Sequence, residues 1–444
     1  MSDTGKRIET QVVVVGSGPG GATVARHLSQ AGKKVTICEA GGYHRQFGFS
    51  PFLLNMMAGK GLTFSKEGTW VLRPKTAGGA SVVFCGTAFK PPSWLREKYG
   101  IDLDAHVEAL FREVPIQPLP DRLIGPAAQT IMRAAGNVGL DWAPLDKWIR
   151  PEKCRPNCGR CSLGCGEGAK WTAREYIAQA RENGATLLLK TPVERVLCQN
   201  GRAVGVRAKS PRGWLDIMAE TVVLSAGGQG TPPILQRSGV ADAGQGFFVD
   251  PLWFVMGEID GQGSLYDIPM SAGINMADDG IVMTDFSLPP IICSALLAYA
   301  GLNGVLSLPH VVKIKKMAVI MIKVRDGLEG RVDADETFSK PIDAATRSKL
   351  DKGAALAETI LAQAGVKRAG IAKTAVIASH PGGTVRIGNL LDSHCRTPLK
   401  DCYCLDTSVI PEPWGLPPTV TVVALARRLA EHLLRKDKGP ALSP

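Results

Sequence analysis

Four cysteines, Cys154, Cys158, Cys161 and Cys165, fall within twelve residues in the spacing C-x3-C-x2-C-x3-C. Glycines and a proline surround them, as in a loop. Thiolates that close together can converge on one soft metal centre. The spacing is near that of ferredoxin-type loops without matching it. Three readings follow from the residues: an iron–sulfur cluster, a structural zinc ion, or plain buried thiols. His380 is a second chemical candidate, within Ser379-His380-Pro381-Gly382-Gly383-Thr384-Val385-Arg386-Ile387-Gly388. Imidazole has an ordinary pKa close to working pH and so suits a general base.

A phosphate cradle is the third. Ile8 to Val15 ends in four valines, a pattern for a buried parallel strand. Gly16-Ser17-Gly18-Pro19-Gly20-Gly21 follows directly, then a helical stretch from Ala22 to Ala31 and a second strand from Lys34 to Cys38 ending at Glu39. In this order Gly16 permits the tight turn, Gly18 lets backbone approach a pyrophosphate, and Gly21 lets helix pack on strand. The helix N-terminus offers free N–H groups to phosphate, and Glu39 can accept from ribose hydroxyls. The motif alone does not separate NAD from FAD.

These groups need a frame, and the composition allows one. The chain has 444 residues, 45% of them hydrophobic and 21% charged, which excludes a disordered or collagen-like chain and leaves material for more than one unit. The formal net charge of +11 favours anionic partners. No basic run carries interleaved aromatics, so no nucleic-acid partner is expected. The first residues show no signal-peptide pattern, which predicts a cytoplasmic, reducing setting with the 11 cysteines as thiols or metal ligands.

Strands are expected at 186–189, 193–197, 203–208 and 221–224, with Asn200-Gly201 as a hairpin turn, and a helix at 419–434. Between Asp285 and Lys313 there is no charged residue. The apolar run 291–308 reads as a substrate-pocket lining, a surface resting on lipid beside Lys313, Lys315 and Lys316, or a core segment. The lipid option would make the protein peripheral at a membrane.

Taken together, the sequence resembles the glucose-methanol-choline (GMC) flavin oxidoreductases over residues 8–90, 154–250 and 378–434. The resemblance is carried by the N-terminal GxGxxG with Glu39, Gly78-Gly79-Ala80-Ser81, Gly168-Ala169-Lys170 and Ser225-Ala226-Gly227-Gly228. The His380 stretch, Asp406-Thr407-Ser408 and Pro418-Thr419 complete it. It implies an α/β fold, with a doubly wound, Rossmann-type FAD-binding domain that is discontinuous and holds an inserted α+β substrate domain. Residues 1–250, with the Cys-rich loop 154–165, would form the first part of the FAD domain, 251–378 the substrate domain, and 379–444 the C-terminal part with His380. The implied FAD-binding residues are Gly16, Gly18, Gly21, Glu39, Gly78, Gly79, Ser81, Val193, Ala226, Asp406, Pro418 and Thr419.

The implied reaction takes hydride from an apolar alcohol or hydroxy compound, with His380 as base, and passes electrons to a protein or quinone. Some members link FAD covalently through a histidine in the stretch 78–84; none stands here, so dissociable FAD is expected. Some carry an iron–sulfur cluster ahead of the Ala-Lys helix, and Cys161 and Cys165 fall in the matching place. Two positions depart from the family: Phe84, where many members have Asn, and Pro417, where an Asn or His partners the base. Proline has no side-chain donor or acceptor. His394 and Tyr403 are candidate substitutes. The departure keeps two alternatives in play: a flavin-dependent reductase or desaturase, and a non-catalytic electron-transfer or assembly subunit.

Overall fold

The computed structural model describes residues 6–44, 62–301 and 308–437. The N-terminal valine run lies in β1 (Lys6–Val15), buried from Val12 to Val15. Such an apolar run can only sit between neighbours, and β1 has one on each side. Helix α1 (Pro19–Gln30) leaves the strand at the glycine turn, with Pro19 at its start where a missing N–H costs nothing. β2 (Val35–Cys38) returns beside β1. Short strands β3 (Leu62–Phe64) and β4 (Trp70–Leu72), helix α2 (Pro126–Asn137), β5 (Ala143–Pro144), α3 (Ala173–Glu182) and β6 (Thr186–Leu188) follow.

β7 (Val193–Gln199), β8 (Arg202–Ser210) and β9 (Gly213–Leu224) form an antiparallel meander. Asn200 and Gly201, with φ of 50° and 73°, make the turn between β7 and β8. The later elements are β10 (Gln245–Glu258), β11 (Ala272–Met276), β12 (Ile281–Asp285), α4 (Pro290–Tyr299) and β13 (Met317–Val324). Then come α5 (Ala344–Gln363), β14 (Ile377–Gly382), β15 (Cys402–Cys404) and α6 (Thr419–Asp437).

Two sheets organise these elements. The first runs β6-β2-β1-β9-β8-β7, with β15 also pairing with β9. Its β6-β2-β1-β9-β15 part is parallel throughout, the Rossmann-type core that the glycine motif requires. The second runs β3-β4-β14-β10-β13-β12-β11-β5 and is mainly antiparallel. It is not confined to residues 251–378. β10 enters it from Gln245, and β4 and β5 cover the edges that β14 and β11 would otherwise leave open.

Strand β13 shows how the second sheet sorts its faces. Ala318, Ile320, Ile322 and Val324 pack with α2 and α5, while Met317, Val319 and Met321 face the other way with Phe254 and Met256. The uncharged stretch contributes α4, whose Cys293, Leu296 and Leu297 pack behind that second face. Phe286, at the start of the stretch, lines the main cavity, but no residue of α4 does, because the side chains of β10 and β13 stand in between. Residues 302–307 of that stretch lie outside the described residues. Among the described residues no helix is long and apolar enough to cross a membrane. All 11 cysteines are free.

β10 turns from the first sheet's neighbourhood into the second beside a buried ion pair. Lys340 Nζ lies 2.9 Å from Asp326 Oδ2, and both side chains are essentially fully buried. The same Asp326 oxygen accepts from the backbone N–H of Val249 at 3.1 Å. Burial pushes the Asp326 carboxyl up to about 7, with Lys340 pulling the other way. A carboxyl raised in the folded state contributes stability at low pH that is lost as pH rises through its folded pKa. Lys340→Met raises Asp326 further and leaves its charge unmatched above neutrality. Thermal unfolding should show a loss of about 3–5 kcal/mol at pH 8 and a smaller loss at pH 6.

Candidate active site

The ends of the parallel strands and one face of the second sheet enclose a single cavity of about 470 Å³. Gly16, Gly18, Glu39, Gly79, Ser81, Val193, Ala226, Asp406, Pro418 and Thr419 all line it, together with His380 and Pro417. Two sequence-predicted residues stand behind the wall instead. A Cβ on Gly21 would lie 2.1 Å from Gly16 O, so Gly21 serves the packing of helix on strand. Gly78, at φ 91°, donates its N–H to Ser17 Oγ at 3.2 Å and shapes the loop rather than the cavity surface.

The cradle fits a pyrophosphate. A Cβ on Gly18 would meet no protein atom within 4 Å, so it would project into open space where a cofactor must approach. Glu39 is buried, accepting from Ser17 N–H at 3.1 Å, Ser17 Oγ at 2.6 Å and Gly41 N–H at 2.7 Å. Burial raises its carboxyl, and these hydrogen bonds act against that. Oε1 retains capacity for one more donor, as a ribose hydroxyl would supply. Asp406 is more fully engaged. Gly227 N–H (2.8 Å), Thr231 Oγ1 (2.6 Å) and Ser408 N–H (2.7 Å) occupy both of its oxygens, so its carboxylate clamps the cavity wall.

His380 sits in β14 where the pairing with β10 is irregular, between Phe248 and Asp250. Its φ of 52° is in the left-handed region, unusual for a non-glycine residue and a conformation that neighbours must impose. Its Nδ1 lies 2.7 Å from Asp250 Oδ2. A carboxylate only accepts, so Nδ1 carries the proton and Nε2 is left with a free lone pair. Asp250 is fully buried on β10, and its Oδ1 accepts from Gly415 N–H at 2.9 Å. Burial lowers the His380 pKa, the charge of Lys323 lowers it too, and Asp250 opposes both. The ring is therefore neutral at neutral pH and able to take a proton.

The sequence reading missed Asp250 and Lys323. Lys323 Nζ stands 3.8 Å from Asp250 Oδ2 and its side chain is 1% exposed. The signal was present: one Asp inside Phe247-Phe248-Val249-Asp250-Pro251-Leu252 and one Lys inside Val319-Ile320-Met321-Ile322-Lys323-Val324. A charge within an apolar strand is rare unless it is paired or used. The two candidate substitutes for Pro417 are elsewhere. His394 stacks on His432 at 4.0 Å and Tyr403 lies 3.4 Å from Lys436 Nζ; neither lines the cavity. Phe84 lines the cavity with Leu252, Phe254, Met270, Phe286, Met321 and Ile377, so this end is apolar.

The four loop cysteines lie together around a second, very small cavity of about 10 Å³, with Lys170 beside them. Lys170 Nζ donates to Cys161 O (2.6 Å), Phe84 O (2.6 Å) and Val82 O (3.0 Å), tying the loop to the main cavity wall. In kind and number the donors suit a soft metal centre. Their spacing does not, because among the described residues no three His, Cys, Asp or Glu side chains are close enough to hold a metal ion.

Comparisons with known proteins bear on the family and the fold. Residues 53–252 match the family model for GMC oxidoreductases. Over 319 residues the chain is 31% identical to the uncharacterized GMC-type oxidoreductase Rv0492c of Mycobacterium tuberculosis, covering 65% of this chain and 49% of that protein. It is 26% identical over 408 residues to long-chain-alcohol oxidase FAO3 of Arabidopsis thaliana, covering 82% and 54% respectively. The chain thus spans about half the length of these curated relatives. The crystal structure of pyridoxine 4-oxidase from Mesorbium loti superposes with a TM-score of 0.71 at 16% identity, covering 96% of this chain and 99% of that one, which shows the fold.

Two glycine substitutions test the cradle. Gly18→Ala should leave the stability of the cofactor-free protein unchanged or slightly raised, since its φ of −66° suits alanine, yet it should lose retained flavin. Gly16→Ala, whose Cβ would lie 2.1 Å from Ser225 O, should lower the melting temperature itself. Flavin absorbance of the purified variants beside their thermal melts checks both.

Proposed function

We propose that this chain, a GMC-type oxidoreductase by its family domain at residues 53–252, its GMC-type relatives and its fold, is an FAD-dependent dehydrogenase or oxidase that oxidises an apolar alcohol at its CH–OH carbon. The observation that carries the reading is His380, which lines the same cavity as the glycine cradle and apolar side chains and is hydrogen-bonded from behind to the buried Asp250. Bound FAD would supply the hydride acceptor, held non-covalently by the residues around Gly18 and Glu39.

The protein's own part is proton management and exclusion of water. Asp250 fixes the His380 tautomer with Nδ1 protonated, so Nε2 can accept the hydroxyl proton of a substrate. Asp250 also steadies the imidazolium that results, as a buried carboxylate beside a histidine can. Phe254, Phe286, Met321 and Ile377 keep the carbon chain out of water and leave the hydroxyl as the one group needing polar partners. Long-chain-alcohol oxidase is the printed name of one relative, and the apolar lining supports a substrate of that class here.

His380→Ala should retain flavin but slow anaerobic flavin reduction by an alcohol about 10²–10⁴-fold. The pKa of His380 is lowered, so the wild-type rate falls with acid only below the ordinary imidazole range, and that limb should vanish in the variant. An unchanged rate would point to a reductase or an electron-relay role.

A second point concerns the cysteine loop. Its four cysteines border one small cavity tied through Lys170 to the main cavity wall, but their side chains are not spaced to hold a metal ion, so the loop is read as a structural element and no electron step is routed through it. Metal and sulfide analysis of anaerobically purified protein should find no iron–sulfur cluster. Iron with inorganic sulfide, both lost in Cys161→Ser, would overturn this reading.

A further inference from the structure

Four lysines are buried among the described residues: Lys147, Lys170, Lys323 and Lys340. Three of them have filled their ammonium hydrogen bonds. Lys147 donates to Cys85 O, Thr87 Oγ1, Pro269 O and Met270 O within 2.8–3.1 Å. Lys170 donates to three carbonyls, and Lys340 to Gly327 O, Glu329 and Asp326. Lys323 alone among them has no hydrogen-bond partner for its Nζ. Its nearest acid oxygen, Asp250 Oδ2, is 3.8 Å away, beyond a hydrogen bond, and that oxygen already accepts from His380. An ammonium with three unmet donors in an apolar setting is costly unless something else occupies them.

Lys323 faces the cavity. It continues the Met317, Val319, Met321 face of β13, stands opposite Leu252 in the register with β10, and lines the cavity beside His380. Pro417, also on the wall, offers nothing to a substrate oxygen.

We propose that Lys323 is a catalytic residue of this site, whose ammonium donates a hydrogen bond to the substrate oxygen while His380 takes that oxygen's proton. The assignment rests on the alcohol-oxidising reading above. The hydroxyl proton moves to His380 Nε2, and bound FAD would accept the hydride from the carbon that bears the hydroxyl, leaving a carbonyl. Lys323 keeps its protons throughout. Its charge stabilises the negative charge that grows on oxygen, in the manner of an oxyanion-hole donor. It supplies the second polar contact that Pro417 lacks.

The charged and titratable groups facing Lys323 are Asp250 from β10, His380 from β14 and Cys85 from the loop after Ser81. Burial lowers the Lys323 pKa to about 8, with Asp250 opposing, so its required charge is lost as pH rises through that value. His380 must be neutral and Lys323 charged, which makes the rate bell-shaped in pH.

The test uses flavin-loaded protein and 1-decanol. Lys323→Met should slow anaerobic flavin reduction about 10²–10³-fold and abolish the alkaline limb while keeping the acid limb. Lys323→Arg, which stays charged, should recover part of the rate and move the alkaline limb out of range. A readout independent of turnover is calorimetric binding of octanoate, whose carboxylate mimics the charged oxygen. Its affinity should fall at least about tenfold in Lys323→Met and weaken in the wild type as pH rises past 8. Equal octanoate affinity in the wild type and Lys323→Met overturns the assignment, as does an unchanged pH profile in Lys323→Met. If no alcohol reduces the wild-type flavin while octanoate still requires Lys323, the alcohol reading fails and the oxygen anchor stands.

Discussion

The carboxylate of Asp250 is the constraint on which the catalytic end depends. It is fully buried, yet it touches three separate pieces of chain: His380 on β14, the N–H of Gly415 ahead of α6, and, more distantly, Lys323 on β13. A charge there is tolerated only because donors surround it. Those donors in turn are held where the carboxylate needs them. The unusual backbone of His380 and the irregular pairing between β10 and β14 are the local cost of that arrangement. Together they turn the imidazole onto one buried acceptor and leave its other nitrogen free.

The cofactor end is held by a different device. Here the C-terminal segment is laced to the segment that follows β9 by hydrogen bonds within the cavity wall. Ser225 Oγ donates to Leu405 O, Asp406 caps Gly227 and Thr231, and Thr384 Oγ1 donates to Gly228 O. Glycines at 16 and 21 allow backbone to meet backbone, and Gly18 is left open to the cavity. The chain thus uses its contact-forming groups to knit the wall together, with small residues between them. A flat, charged cofactor can then approach main-chain donors directly.

Between the two ends the charge distribution is asymmetric. Away from the substrate end, the lining carries the glycine loop's N–H groups together with the carboxylates of Glu39, Asp406 and Glu336 and the cations of Arg73, Lys75 and Arg237. The substrate end is apolar apart from His380, Lys323 and the acid behind them. Under the proposed reading, an apolar alcohol would find polar partners there at one spot, so its orientation would follow from desolvation as much as from any specific contact. The cysteine loop lies outside this cavity but is fastened to its wall through Lys170, so the two regions are mechanically coupled whatever the loop holds.

Much of this was legible in the residues. The valine run, the glycine turn and Glu39 are contiguous, and local rules of strand, turn and helix are enough to place them. The hairpin at Asn200-Gly201 was readable for the same reason. His380 could be singled out from its own short stretch. Asp250 and Lys323 could not be joined to it, because they lie 130 and 57 positions away and only the pairing of β10 with β13 and β14 brings all three together. The apolar run 291–308 left a pocket lining, a lipid-facing surface and a core segment open, and its described helix packs as a core segment. Which layer it occupied depended on the side chains of β10 and β13 standing in front of it. The four cysteines likewise showed their number and spacing in the sequence, while the distances between their side chains are a property of the folded loop. The sequence by itself determined the local motifs, whose geometry is set by neighbours a few residues apart. The tertiary structure alone decided which buried charges share an atom, because strand pairing between distant segments makes that choice.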